Sequence, residues 1–285
     1  MSSNIHSFRD INQNQQNNNE FRPVNFASSE NENNSDENCC SYTAKIFCPY
    51  FNIYTFTFFV TVLDVCMYFL TLILGYGGGL LKIRQETLDN FGMKVPFKVY
   101  RGQIHRLILY GILHSDFLHI LFNVISQLSI GFNLERFIGH LKIILIYIIS
   151  NICGGLFSCL ITSSPSVGAS VAICGLFGSY IAFTFINYYY LDTIIGRQNK
   201  YCNLIIMGFF VFIMCISAFN NNNIDNFGHI GGLIYGFFSS LFIVKPAEID
   251  RGLWFNSKSW EYIGIFFSGG LLLTSIALFW FVIKG

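Results

Sequence analysis

Seven apolar runs dominate this chain, and each is close to the ~20 residues an α-helix needs to cross a bilayer. They fall at roughly 52–75, 116–134, 141–162, 169–187, 203–219, 227–244 and 262–283. Only 12% of the 285 residues are charged, against roughly 25% in soluble domains. A helix satisfies its own backbone hydrogen bonds in lipid, whereas irregular chain does not. The pattern therefore predicts an all-α polytopic membrane protein. The formal net charge of +1 gives no reason to expect a nucleic-acid partner.

Residues 1–49 are a different material. "NQNQQNNNE" and "SENENNSDEN" are polar, acidic and nearly free of aliphatics. Such a segment cannot bury enough apolar surface to offset its ordering entropy, so it reads as a disordered Asn-rich tail. It has no apolar core near Met1 and does not read as a signal peptide. The core then covers 50–244 with six spans and a long first loop at 76–115. An inner loop and a seventh span fill 245–285. The nine cysteines show no framework. Cys39, Cys40 and Cys48, just before the first run, read as free thiols, with S-palmitoylation as the alternative.

Lys and Arg placement sets the orientation. With the tail in the cytosol, ten of them lie on the cytosolic side: Arg9, Arg22, Lys45, Arg136, Lys142, Arg197, Lys200, Lys245, Arg251 and Lys258. The opposite side holds Lys284 and the first loop, which carries six. The short loops at 163–168 and 220–226 hold none. The starts of the fourth and sixth runs therefore belong near the outer or luminal face.

Polar residues inside the runs narrow the function. In the sixth run, "IDNFGHIGGLIYGFF", Gly228, Gly232 and Gly236 are spaced by four and line one helix face. Small residues at that spacing let membrane helices approach closely. His229 adjoins this face. In the fourth run Ser170, Cys174 and Gly178 form a similar stripe. A serine hydroxyl is a weak nucleophile until a base within hydrogen-bond reach takes its proton. Ser170 and His229 are the pair for which both the chemistry and the close packing are present. A serine in a membrane helix ordinarily bonds its own backbone; the convergence of polar groups from three runs near one membrane face favours a site.

The second run adds "HSDFLHILFN", in which His119 and Asn123 are four apart and share a helix face. Both can donate hydrogen bonds. The N–H of Ser170, on the first turn of its helix, has no intrahelical acceptor. These donors suit an oxyanion hole for a tetrahedral intermediate.

At these residues the sequence resembles the rhomboid family of intramembrane serine proteases. "GASVAICGLFG" is similar to the family's G-x-S-G motif, "GHIGG" to A-H-x-G-G, and "HSDFLHILFN" to H-x-x-x-x-H-x-x-x-N. "QIHRLI" resembles the first-loop W-R motif and "LERFIG" the E-R-x-x-G after the second helix. The resemblance implies a rhomboid-like six-helix core plus a C-terminal seventh helix, as in secretase-type members. It implies Ser170 as nucleophile, His229 as general base, and His119, Asn123 and the Ser170 amide as oxyanion donors. Gly168, Gly232, Arg106 and Glu135 take supporting roles, the last two fixing loop and helix-end geometry. Such enzymes cut single-pass membrane proteins within or beside the spanning segment, without metal or organic cofactor. The Asn-rich texture and acidic tail are similar in style to apicomplexan-parasite members, which are associated with shedding surface adhesins. The implied location is a multi-pass protein of the secretory pathway or plasma membrane.

The chain departs from the family pattern at three positions. Val171 stands where the second glycine is usual and is expected to narrow the pocket. Cys174 replaces an aromatic that packs on the catalytic His, and His105 replaces the loop Trp. Asp225, four residues before His229, is a candidate third triad member, but a loop cap is the preferred reading, leaving a Ser–His dyad. Asp64, midway in the first run, reads as a structural hydrogen-bonding group. "FNNNNIDNF" (219–227) is either a lid or a plain connector. Two rival functions remain at this level: a catalytically inactive rhomboid-like protein that binds membrane clients, and a small transporter using His119, Asn123, Asp64 and His229.

Overall fold

A computed structural model describes residues 51–188, 225–244 and 257–284 of the chain. The acidic tail, the run at 203–219, the inner loop up to Asn256 and the stretch 219–224 lie outside the described residues.

Six long helices carry the described fold. They are α1 (Phe56–Gly75), α5 (Phe117–Ile138), α6 (His140–Ile161), α7 (Ser170–Ile186), α8 (Asn226–Ile243) and α9 (Ser257–Lys284). The first loop between α1 and α5 holds a two-strand hairpin, β1 (Tyr76–Gly78) with β2 (Lys82–Ile83), and short helices α2 (Gln85–Asn90), α3 (Pro96–Tyr100) and α4 (Arg106–Leu109). Among the described residues, four segments are long and apolar enough to span a membrane: 56–75, 117–138, 140–161 and 259–282. The protein is thus a polytopic helical membrane protein with a C-terminal spanning helix.

Three of the long helices, α1, α5 and α8, start where a side-chain oxygen takes one of their free N–H groups. Thr55 Oγ1 accepts from Phe58 N (3.2 Å) at the start of α1. Asp116 Oδ1 accepts from His119 N (3.0 Å) at α5, and Asp225 Oδ1 from Gly228 N (3.0 Å) at α8. Only Gly139 separates α5 from α6, and its φ of +86° makes the reversal.

Leu134, Ile143, Ile146, Leu176 and Phe183 form the central core where α5, α6 and α7 meet. Helix α9 packs on α8 and turns Phe266, Leu273 and Phe281 outward, as a helix in lipid would. The first loop folds onto the bundle. Ile83, Leu88 and Met93 are buried with Tyr68 of α1 and Ile120 of α5, while Val99 and Leu107 pack against Leu156 of α6.

The glycine contacts correct one sequence expectation. A Cβ at Gly232 would strike the Val171 carbonyl, one at Gly236 the backbone of Gly175, and one at Gly178 the Leu233 carbonyl. The face of α7 that meets α8 is therefore Val171–Gly175–Gly178, displaced by one residue from the stripe through Ser170 and Cys174. Gly228 does not join this contact; it faces the carboxylate of its own capping residue, Asp225. On the other side, Gly154 of α6 approaches Val171 Cγ1 and the backbone of Gly228 and Gly232. Three helices thus converge closely, with Val171, Ser150 and Phe157 the side chains that meet the glycines between them.

Candidate active site

Ser170 is the first residue of α7 and His229 lies in the first turn of α8. Gly168, with φ +125°, turns the chain into α7 and donates its N–H to the Tyr110 carbonyl (2.9 Å). The close α7–α8 approach then brings His229 Nε2 to 2.7 Å from Ser170 Oγ. For the hydroxyl to donate, Nε2 must carry the lone pair, which places the ring proton on Nδ1.

Both residues line a cavity of about 680 Å³, with His119 and Asp225 on its wall. The first loop contributes Lys82, Ile83 and Met93, and the α6–α7 connection contributes Ser166 and Val167. His119 lies near Ser170: a methyl built on Gly168 would sit 2.6 Å from His119 Nε2 and 3.6 Å from Ser170 Oγ. His119 Nδ1 is 3.0 Å from Ser115 Oγ, and that hydroxyl donates to Asp116 Oδ2 (2.8 Å). A serine has one proton to give. In this arrangement Nδ1 of a neutral His119 is the donor to Ser115, and Nε2 presents a lone pair. Asn123, one turn deeper, spends one Nδ2 hydrogen on its own helix, at the His119 carbonyl (2.8 Å), and keeps a second.

Val171 does not narrow the cavity. Its side chain is buried against Gly154 and Gly232, away from the pocket lining. Cys174 is likewise buried within α7. Of the supporting residues, Arg106 ties the first loop together: Nη1 donates to the Met93 carbonyl (2.7 Å) and to the carbonyl and Oδ1 of Asp89 (both 3.0 Å). Hydrogen bonding by Lys98, together with the nearby charges of Lys98 and Arg106, holds the Asp89 carboxyl below the usual carboxylate range. Glu135 is buried at the far end of α5 and caps α1. His105, in place of the usual Trp, immediately precedes α4. Asp64 accepts from Gln127 Nε2 (2.9 Å) inside the α1–α5 interface.

Asp225 does more than cap α8. Its Oδ1 also accepts from Ser158 Oγ (2.5 Å), its Oδ2 accepts from Ser166 Oγ (2.7 Å), and Oδ2 pairs with the ammonium of Lys94. Burial opposes the charge on Asp225, yet Lys94 and these hydrogen bonds hold its carboxyl below the ordinary range. Lys94 is fully buried, donates to Ser158 Oγ (2.6 Å) and lies over the Tyr110 ring. Sequence reasoning missed it. In "KVPF" a lysine two residues before a proline carries no local sign of burial, and nothing nearby ties it to an aspartate 131 residues away.

A family model described as the Rhomboid domain matches residues 101–246, a stretch that contains Ser170, His229, His119, Asn123 and Asp225 but not Lys94. Rhomboid-like protease 1 of Toxoplasma gondii is 32% identical over 221 residues, covering 76% of this chain and 73% of that protein. Rhomboid protease GluP of Bacillus subtilis is 34% identical over 192 residues, 67% of this chain but only 35% of GluP. RHOMBOID-like protein 5 of Arabidopsis thaliana is 36% identical over 155 residues, about half of each chain. The match spans the three helices that bring Ser170, His229 and His119 to one cavity, and the chain belongs to the rhomboid family.

Proposed function

We propose that this chain is an intramembrane serine endopeptidase that cleaves single-pass membrane proteins within or beside their spanning segment. The observation that carries this reading is the 2.7 Å contact between Ser170 Oγ and His229 Nε2 inside a cavity. Ser170 attacks the scissile carbonyl as its proton passes to His229 Nε2. The resulting oxyanion accepts from the Ser170 N–H and from the second amide hydrogen of Asn123. His119 joins them in its Nε2–H tautomer, which the Ser115 hydroxyl supports by turning from Asp116 to donate to Nδ1. The protonated His229 then gives its proton to the leaving amine, and an acyl-enzyme remains on Ser170. Water, deprotonated by His229, clears the ester and restores the hydroxyl.

The dyad lies at the start of its two helices rather than at their midpoints, which supports a site reached by water from one membrane face. On the distribution of Lys and Arg that face is the outer or luminal one, with the Asn-rich tail in the cytosol. Secretory or plasma membranes fit this orientation, and single-pass surface proteins, adhesins among them, fit as substrates.

The test is a screen of co-expressed single-pass proteins with Ser170→Ala as control. The variant accumulates but cleaves nothing that the wild type cleaves. Undiminished cleavage by Ser170→Ala overturns the assignment. A fluorophosphonate probe that labels the wild type and not this variant separates an enzyme from a client-binding relative.

A further inference from the structure

The Ser170–His229 hydrogen bond joins two helix ends, and helix ends are where backbone N–H groups lack partners and where fraying begins. The Asp225 carboxylate gathers the groups around them. One oxygen takes Gly228 N, in the first turn of α8, and Ser158 Oγ near the end of α6. The other takes Ser166 Oγ, four residues before the nucleophile, and the Lys94 ammonium. Lys94 and Ser166 also pair through their backbones, with Lys94 N donating to Ser166 O (3.1 Å) and Ser166 N to Lys94 O (2.9 Å). One buried ion pair therefore binds the first loop, the segment leading to Ser170 and the turn that carries His229.

A buried lysine is costly unless its charge is paired and its donors are used. Packing alone would be served by a methionine, whose unbranched chain fills the same stem. What the ammonium adds is direction: it bonds Asp225 and Ser158 together and fixes where the carboxylate sits. A displacement of about 1 Å between reacting groups can cost on the order of a hundredfold in rate.

We propose that Lys94, through Asp225, is a positioning residue for the catalytic pair, holding the first turn of α8 and the segment before Ser170 in the register where His229 meets the nucleophile. This inference rests on the proteolytic reading above.

The experiment uses the full chain in proteoliposomes, a fluorophosphonate probe, and the variants Lys94→Met, Lys94→Met/Asp225→Asn and Ser166→Ala. The single Lys94 variant leaves a buried carboxylate unpaired and melts at lower temperature. The double variant removes both charges and keeps a capping side-chain oxygen, so its melting temperature recovers. Its maximal labelling rate nevertheless stays at least tenfold below wild type, while the probe concentration for half-maximal rate changes less than twofold. Ser166→Ala cuts one strand of the tether and lowers the maximal rate about threefold, with the melting temperature unchanged. A folded double variant that labels at the wild-type rate overturns the proposal. If the double variant does not accumulate, an unchanged rate in Ser166→Ala overturns it. Wild-type protein that shows no Ser170-dependent labelling overturns the proteolytic reading itself, and this inference with it.

Discussion

The Glu135 carboxylate of α5 grips Thr57 of α1 twice: Oε2 accepts both the Thr57 N–H (2.9 Å) and its hydroxyl (2.6 Å). The other oxygen takes Phe56 N at 2.7 Å. One buried side chain thus satisfies the first two amides of α1 and docks that helix against α5.

Replacing Glu135 by alanine strands those donors in the protein interior. We expect a loss on the order of 2–3 kcal/mol, read as a lower thermal midpoint in detergent. His119 lies 16 residues back along α5, about 24 Å away at the helical rise. The folded fraction therefore keeps its probe-labelling rate. A drop in the rate of fully folded protein would show that Glu135 reaches the site.

His229→Gln removes the proposed base and leaves a side chain of similar reach. The rate of labelling at Ser170 should fall about 10²–10⁴-fold, the usual worth of a general base. Accumulation in membranes should not change. Labelling within threefold of wild type would assign proton transfer to another group.

The α7–α8 approach predicts opposite results at two glycines. A methyl at Gly236 runs into the Gly175 backbone, whereas one at Gly269 meets nothing within 4 Å. Gly236→Ala should cost about 1–3 kcal/mol by overpacking and slow labelling more than tenfold as Ser170 and His229 separate. Gly269→Ala should leave the rate unchanged and stability equal or up to about 1 kcal/mol higher. Equal behaviour of the two variants would refute the close seam.

His114 precedes α5, is fully buried and stacks edge-on to His119 at 5.3 Å between ring centroids. Burial, with His119 adding to it, pushes its pKa down from 6.5 to about 3. Folding therefore favours the neutral ring. Above pH 6.5 both folded and unfolded chains hold it neutral and its contribution is level. As pH falls from there toward 3 the unfolded state takes up a proton that the folded state refuses, and stability is lost. At about pH 5 the loss is roughly 2 kcal/mol. His114→Leu should remove this slope, measured as thermal midpoints between neutral pH and about pH 5. An unaltered slope would place the acid sensitivity elsewhere.

The sequence disclosed the helices because length and apolarity alone distinguish a bilayer span, and α1, α5, α6, α7, α8 and α9 begin within a few residues of the apolar runs. The meeting of Ser170 and His229 was legible from small residues at fourfold spacing on two runs. The face of α7 was read one residue out, since a periodicity names a stripe but not which neighbour it meets. Val171, expected to narrow the pocket because it stands where a glycine is usual, instead puts its side chain in the crevice between α6 and α8. Lys94 was illegible for a different reason. A lysine becomes a core residue only when a distant carboxylate and two serines close around it, and no local pattern encodes that closure.

The seam between α7 and α8 has one further consequence. Sliding or spreading of packed helices proceeds by side chains exchanging rotamers, and here Gly175, Gly178, Gly232 and Gly236 put backbone against backbone. The joint behaves as a weld rather than a hinge. Any change in the width of the cavity falls to the first loop that lines it, while Ser170 and His229 travel as one piece.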